Sequence, residues 1–87
     1  MGMPEDFSAA VLKSKTLPQR PSNEELLQLY ALYKQSTDGD VSGERPGGFD
    51  FKAIAKYDAW AGRKGMSQDD ARRTYVEFVE QLAKTYT

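Results

Sequence analysis

Apolar side chains recur at helical spacing in four separate segments of the chain, and no segment keeps the strict alternation of a strand. The clearest repeat begins at Ala71 and ends at Tyr86, with apolar residues at positions i, i+4, i+7, i+8, i+11 and i+15. Shorter apolar stripes run through residues 4–16, 23–37 and 51–63. The pattern predicts an all-α protein of four helices, and its length suits a single domain over residues 1–87.

Capping residues predict where most of these helices begin and end. Ser22 followed by Glu25 has the spacing of a capping box, and Ser67 followed three residues later by an aspartate repeats it. Asp50 is placed as the N-cap of the third helix. Gly65 follows two basic residues and is typical of a helix stop.

The connections between the predicted helices differ in length. Pro18 and Pro21 make the first connection a stiff, non-helical one. The second, from residue 38 to residue 50, is longer than a bundle normally needs. It is rich in glycine, and we expect an ordered loop anchored by Val41 and Phe49. Such a loop carries the chain back, so that the second and third helices run in the same direction.

The amino-acid composition excludes several kinds of catalytic and metal site and disfavours some partners. Hydrophobic residues make up 39% and charged residues 29%, which is typical of a globular domain. The chain has no cysteine and no histidine, which excludes disulfides, thiol or imidazole catalysis and ordinary zinc sites. A net charge of −1 argues against duplex nucleic acid as a partner. No apolar run approaches the roughly 20 residues of a membrane span, so we expect a soluble, cytoplasmic protein without integral membrane association.

The second helix carries a cluster of two phenols and an ammonium. Tyr30 precedes Tyr33 by three residues and Lys34 by four, so the three side chains are neighbours on the helix surface. Ring stacking, hydroxyl hydrogen bonds and charge-assisted bonds are the contacts that a phosphorylated, planar ligand uses. The same tyrosines also continue an ordinary core stripe with Leu26 and Leu29. Periodicity alone leaves both interpretations open.

Two further lysines have ordinary interpretations when considered singly. Lys15 shares a helical row with Phe7 and Val11, and it fits a basic residue that compensates the dipole at a helix end. Lys56 lies one turn before Trp60 and fits a solvated surface lysine. Tyr75, early in the fourth helix, is most simply a core residue.

The order of these features resembles the acyl-CoA-binding protein family. The stretch YALYKQSTDGDVSGERPGGFDFKAIAKYDAW carries the YxxYKQ, ERPG and FDFK segments, followed by AKxDAW with a tyrosine at the variable position. The resemblance extends over essentially the whole chain. It implies an up-down-down-up four-helix bundle that binds one long-chain fatty acyl-CoA as a monomeric, non-enzymatic carrier and pool former. It implies no cofactor and no metal.

The resemblance also implies roles for individual residues at the nucleotide end of the ligand. Tyr30 and Lys34 match positions that hold the 3′-phosphate of the CoA ribose, and Lys56 matches a second cationic partner of that phosphate. Tyr33 matches the ring that packs on adenine. Tyr75 matches a tyrosine that lines the nucleotide end of the site.

The remaining predicted positions include further contacts with the ligand and the side chains that flank its acyl chain. Lys15 matches a lysine near the ligand on the first helix. Within the YxxYKQ segment, Ala31 and Leu32 are also predicted to contact the ligand. Three side chains are expected to flank the acyl chain: Phe7, Val11 and Leu27.

The sequence departs from the family pattern in three places. Tyr57 stands where many relatives have tryptophan, which we expect to change packing more than binding. Gly62 is predicted to lie inside the last turn of the third helix and to loosen it, since glycine costs about 1 kcal/mol relative to alanine there. Val11 is larger than the alanine common at its position and is expected to alter chain-length preference.

Two other functional classes are alternatives to a carrier. A helical protein-interaction module would keep the scaffold without the ligand, and its mark would be an exposed apolar patch unrelated to the tyrosines. An enzyme would depend on carboxylates, lysines or tyrosines, and no pair of them is spaced so as to suggest a reaction.

Overall fold

The computed structural model describes residues 3–86, and over that range the chain forms four helices and no strand. Residues 1, 2 and 87 of the predicted domain lie outside the described residues. The all-α prediction is confirmed. The helices are α1 (Met3–Ser14), α2 (Asn23–Thr37), α3 (Phe51–Ala61) and α4 (Gln68–Thr85).

The predicted caps are present at three helix starts. At α2, the Ser22 hydroxyl accepts a hydrogen bond from the Glu25 N–H at 3.1 Å, and the Glu25 carboxylate accepts one from the Ser22 N–H at 2.9 Å. Asp50 accepts a bond from the N–H three residues later, and Ser67 does the same at α4. These bonds satisfy N–H groups that a helix start leaves unpaired, so each cap fixes the start of its helix.

Two helix ends differ from the predictions. α1 ends at Ser14 rather than Thr16, because the N–H groups of Lys15 and Thr16 bond to carbonyls three residues back and tighten the turn. α3 ends at Ala61 rather than Arg63, with Gly62 as its C-cap. The Gly62 N–H still donates to the Asp58 carbonyl at 3.0 Å, so the predicted loosening of α3 by this glycine stays a prediction.

Contacts between helix ends show the direction in which each helix runs. The Trp60 indole N–H near the end of α3 donates to the Gly39 carbonyl just beyond α2, at 2.8 Å, so α2 and α3 are parallel. Tyr86, just after α4, donates to Glu25 at the start of α2, so α4 runs the opposite way.

α1 is also antiparallel to α2. Phe7, early in α1, stacks on Tyr33, late in α2. Lys15, just after α1, lies beside Leu26 near the start of α2. The four helices therefore have the predicted up-down-down-up order.

The loop of residues 38–50 is ordered, as expected, and polar contacts hold it on α3. Arg45 forms a two-pronged ion pair with Asp58, with N···O distances of 2.8 and 2.9 Å. The Tyr57 hydroxyl donates to the Gly43 carbonyl at 3.1 Å. The tyrosine found in place of the family's tryptophan thus contributes a hydrogen bond that fastens the loop.

The prediction that Phe49 anchors this loop is wrong. The side chain is 91% exposed and packs edge-to-face against Phe51, which is itself 70% exposed, with ring centres 6.2 Å apart. Val41, the other predicted anchor, is half-buried. The loop is therefore positioned by its hydrogen bonds to α3 and not by burial of Phe49.

The hydrophobic core lies where α1, α2 and α4 meet. Its most deeply buried members come from α2 and α4, and α1 contributes an aromatic and a small residue. The core residues are Phe7, Ala10, Leu29, Leu32, Tyr75, Val79 and Leu82.

A buried polar residue of α2 links the loop that follows α2 to the connection between α3 and α4. Gln35 is fully buried, and its amide nitrogen donates to Asp40 at 2.9 Å and to the Met66 carbonyl at 2.8 Å. The same Asp40 oxygen accepts the Gly65 N–H at 2.9 Å. One amide therefore links the loop after α2 to the connection before α4.

Replacing Gln35 with alanine is expected to destabilise the fold by about 2 kcal/mol, because two buried hydrogen bonds and well-packed atoms are lost. The buried Gln35 carbonyl oxygen has no partner among the described residues, which keeps the expected loss from being larger. Urea unfolding followed by circular dichroism measures the change. Gln28→Ala is the matched control, since Gln28 is exposed on the same helix. Equal stability of the two variants would contradict the structural role of Gln35.

Candidate functional site

A groove of about 450 Å³ opens between α1, α2 and α4, and most of its lining is apolar. Several residues singled out in the sequence meet in it. They are Val11, Lys15, Tyr30, Tyr33 and Tyr75. The groove therefore brings together predicted site residues that lie far apart in the chain.

A packed cluster of three aromatic rings, Phe7, Tyr33 and Tyr75, adjoins the groove, and the two tyrosines of the cluster line it. The rings of Phe7 and Tyr33 stack with centres 6.0 Å apart and planes inclined by 21°, and Tyr75 meets Phe7 edge-on at 5.2 Å. Such geometries contribute stability beyond the area they bury. The buried Phe7 supports one face of the Tyr33 ring, which remains 41% exposed.

Tyr75 is the buried hydroxyl of this cluster. Tyr75 is 3% exposed, and its hydroxyl donates a hydrogen bond to the Ser14 hydroxyl at 3.2 Å. The Ser14 hydroxyl in turn donates to the Val11 carbonyl at 2.7 Å. Burial raises the pKa of Tyr75 above its ordinary value, although the bond to Ser14 opposes part of that shift. Tyr75 is therefore a neutral donor whose hydrogen bond fixes the wall formed by α1.

At the rim, a lysine of α3 meets a tyrosine of α2. The Lys56 ammonium lies 5.3 Å from the centre of the Tyr30 ring, within the range of a cation–π contact. Tyr30 is half-buried and also lines the groove. The parallel arrangement of α2 and α3 thus places a cation beside the groove.

Lys34 has a different environment from Lys56. Its ammonium forms an ion pair with Asp38 one turn later and lies 4.9 Å from the centre of the Trp60 ring. The hydrogen bond to Asp38 raises the pKa of Lys34 and lowers the pKa of Asp38. Lys34 is therefore firmly cationic. Helical spacing placed Lys56 next to Trp60, but the ammonium over the indole is that of Lys34.

Apart from the lysines of α2 and α3, four predicted ligand contacts do not line the groove: Phe7, Leu27, Ala31 and Leu32. Phe7 is buried in the core against Tyr33. Ala31 and Leu32 are each 1% exposed, and Leu32 belongs to the core, so neither side chain faces the groove surface. They occupy positions between Tyr30 and Tyr33 that point into the bundle. Leu27 is half-buried and is not among the side chains that line the groove.

The groove also contains residues that were not predicted to be part of a site. Ser14, Leu26 and Leu29 line it together with the tyrosines. Leu26 and Leu29 had been assigned to the core stripe, and the structure shows that one stripe serves both the core and the groove wall. The partner of Lys34, Asp38, was also missed, although its spacing of four residues was the available signal.

The chemistry of the site is that of binding. The groove offers apolar walls, three phenol rings and cations at its edge, which are the contacts that hold an amphiphilic ligand. Among the described side chains, those of residues 6–86, no group of three or more acidic residues is placed to hold a metal ion. No helix within residues 3–86 is long and apolar enough to cross a membrane.

Comparisons with known proteins point to one family. The family model described as acyl CoA binding protein matches residues 4–79. Acyl-CoA-binding protein homolog 1 of Caenorhabditis elegans is 50% identical over 80 residues, which cover 92% of this chain and 93% of that protein. The acyl-CoA-binding protein of Saccharomyces cerevisiae is 51% identical over 71 residues, or 82% of each chain.

Solved structures agree with the sequence comparisons. The crystal structure of Oryza sativa acyl-CoA-binding protein 2 superposes with a TM-score of 0.92 at 44% identity, covering 97% of this chain and 93% of that one. The crystal structure of the homologous protein from Moniliophthora perniciosa superposes with a TM-score of 0.86 at 35% identity, covering 99% and 92%. The similarity therefore includes the whole bundle and not a single helical motif.

Proposed function

The chain belongs to the acyl-CoA-binding protein family, and on that premise we propose that it binds long-chain fatty acyl-CoA thioesters non-covalently as an intracellular carrier and pool former. The observation that carries this proposal is the groove between α1, α2 and α4, whose apolar wall ends at a rim of tyrosines and lysines. An amphiphilic thioester with an anionic nucleotide head matches that division between apolar and cationic surface. Residues 1–87 act as one domain in this proposal.

The cationic rim binds the nucleotide head. Lys56 already lies against the Tyr30 ring, and Lys34 extends from the following turn of α2. A phosphate between these groups would receive charge-assisted hydrogen bonds from two ammonium groups and one from the Tyr30 hydroxyl. Lys15, which is exposed just after α1 and lines the groove, adds a third cation.

Tyr33 provides the stacking surface for adenine. Its inner side is supported by Phe7, while 41% of the residue remains accessible. A ring held on one side and free on the other needs little reorganisation before a base stacks on it. Phe7 thus acts from beneath Tyr33.

The apolar wall receives the acyl chain. Val11, Leu26 and Leu29 line the groove next to the tyrosines. Each methylene that leaves water contributes about 0.8 kcal/mol, which gives a physical reason for preferring long chains until the groove ends.

Calorimetric titration with palmitoyl-CoA tests the proposal. We expect tight binding with one ligand per chain, weaker binding of the palmitoyl ester of dephospho-CoA, and little binding of free palmitate. Gel filtration of the ligand-bound protein checks the proposed monomer. Absence of heat and of thermal stabilisation with any acyl-CoA would refute the carrier function and favour the protein-interaction alternative.

A further inference from the structure

One acidic residue contacts a lysine of the proposed phosphate site. Asp38, the C-cap of α2, forms an ion pair with the ammonium of Lys34. The Trp60 ring covers another side of that ammonium at 4.9 Å. The Lys34 side chain is 26% exposed and the Asp38 side chain 48%, so a ligand in solution can reach both.

Resting on the proposed function, we propose that Asp38 limits the affinity of the site by competing with the ligand phosphate for Lys34. An ammonium group has three N–H donors. In the free protein one of its sides faces the Asp38 carboxylate and another faces the Trp60 ring. A phosphate must therefore displace the carboxylate or share the ammonium with it, and sharing places two like charges against one cation.

The opposite role, in which Asp38 helps by holding Lys34 in place, has less support in the geometry. Trp60 already restrains the Lys34 side chain from α3, so its position does not depend on Asp38 alone. A carboxylate at the C-terminus of a helix is also disfavoured by the helix dipole. The fold therefore has little need of the Asp38 charge, whereas a phosphate would be opposed by it.

Asp38→Asn tests this competition, because asparagine keeps the shape and removes the charge. We expect palmitoyl-CoA to bind about fivefold tighter at low salt, with a smaller gain at high salt where exposed charges are screened. The palmitoyl ester of dephospho-CoA should gain much less. Glu80→Gln is the matched control, since it removes one acidic charge from a separate groove between α1 and α4.

A second arm separates competition for Lys34 from general repulsion. When Lys34 is replaced by methionine, Asp38→Asn should raise the affinity for palmitoyl-CoA by only a small part of the increase expected when Lys34 is present. Three outcomes would each overturn the inference. Asp38→Asn could leave affinity unchanged or weaken it, Glu80→Gln could raise affinity equally, or Asp38→Asn could raise affinity just as much without Lys34. Those outcomes leave the carrier function standing if the unmodified protein binds palmitoyl-CoA. No binding by either protein refutes both, whereas binding by the variant alone supports the competition.

Discussion

Replacing Lys34 and Lys56 together with methionine is expected to weaken palmitoyl-CoA binding by about 100-fold or more. Methionine keeps much of each apolar stem and removes the charged ammonium together with its N–H donors. A hydrogen bond to a charged group contributes about 1.5–3 kcal/mol, so losing two corresponds to at least two factors of ten in the dissociation constant. Calorimetric titration of the double variant measures the loss, and circular dichroism checks that the four helices remain.

The specificity of this loss is as informative as its size. The double variant should bind the palmitoyl ester of dephospho-CoA about as well as the unmodified protein does, because that ester lacks the phosphate assigned to the lysines. Lys13→Met with Lys64→Met gives the same change in net charge at exposed positions outside the groove, and it should have little effect. Affinity within about twofold of the unmodified protein would show that Lys34 and Lys56 are not the phosphate ligands.

Local signals predicted the fold well where they are strong. The capping residues Ser22 and Ser67 fixed two helix starts, because each hydroxyl accepts a hydrogen bond from the N–H three residues later. At Ser22 the Glu25 carboxylate also accepts a bond from the Ser22 N–H and completes the capping box. The predicted helix ends were less accurate than the starts. After Ser14 and Ala61 the backbone continues in turns with hydrogen bonds to carbonyls three residues back, and no residue pattern in the sequence indicates where the α-helix changes to such a turn. Phe49 was misassigned because hydrophobicity does not indicate burial when hydrogen bonds position a loop.

The contacts that form the site could not be predicted from spacing within one helix, because they join side chains of different helices. Considered singly, Lys56 has the pattern of a surface lysine, and only the packing of α3 parallel to α2 places its ammonium on Tyr30. Lys34 and Trp60 meet for the same reason, and no spacing within one helix indicates that contact. The residue roles carried by the family resemblance are still predictions, and the variants described above test them.

Replacing Leu32 with alanine is expected to destabilise the protein by about 3 kcal/mol, because a fully buried leucine leaves a cavity when truncated. Leu32 is 1% exposed and is among the largest fully buried side chains. A domain of 87 residues has a total stability of roughly 4–13 kcal/mol, so the loss is a substantial fraction of it. Urea unfolding should show a lower midpoint with an unchanged slope. Leu12→Ala, at a residue 67% exposed, is the control and should change stability little.

The same variant decides between two roles for Leu32. The family resemblance predicts that Leu32 contacts the ligand, whereas its burial assigns it to the core beneath the tyrosines. If the core role is right, folded Leu32→Ala should bind palmitoyl-CoA with affinity within about twofold of the unmodified protein. Leu26→Ala should lower affinity more and stability less, because Leu26 lines the groove and is only half-buried. A Leu32 variant that keeps its stability but loses affinity would return Leu32 to the ligand contacts. The two leucines therefore distinguish the wall of the groove from the core that supports it.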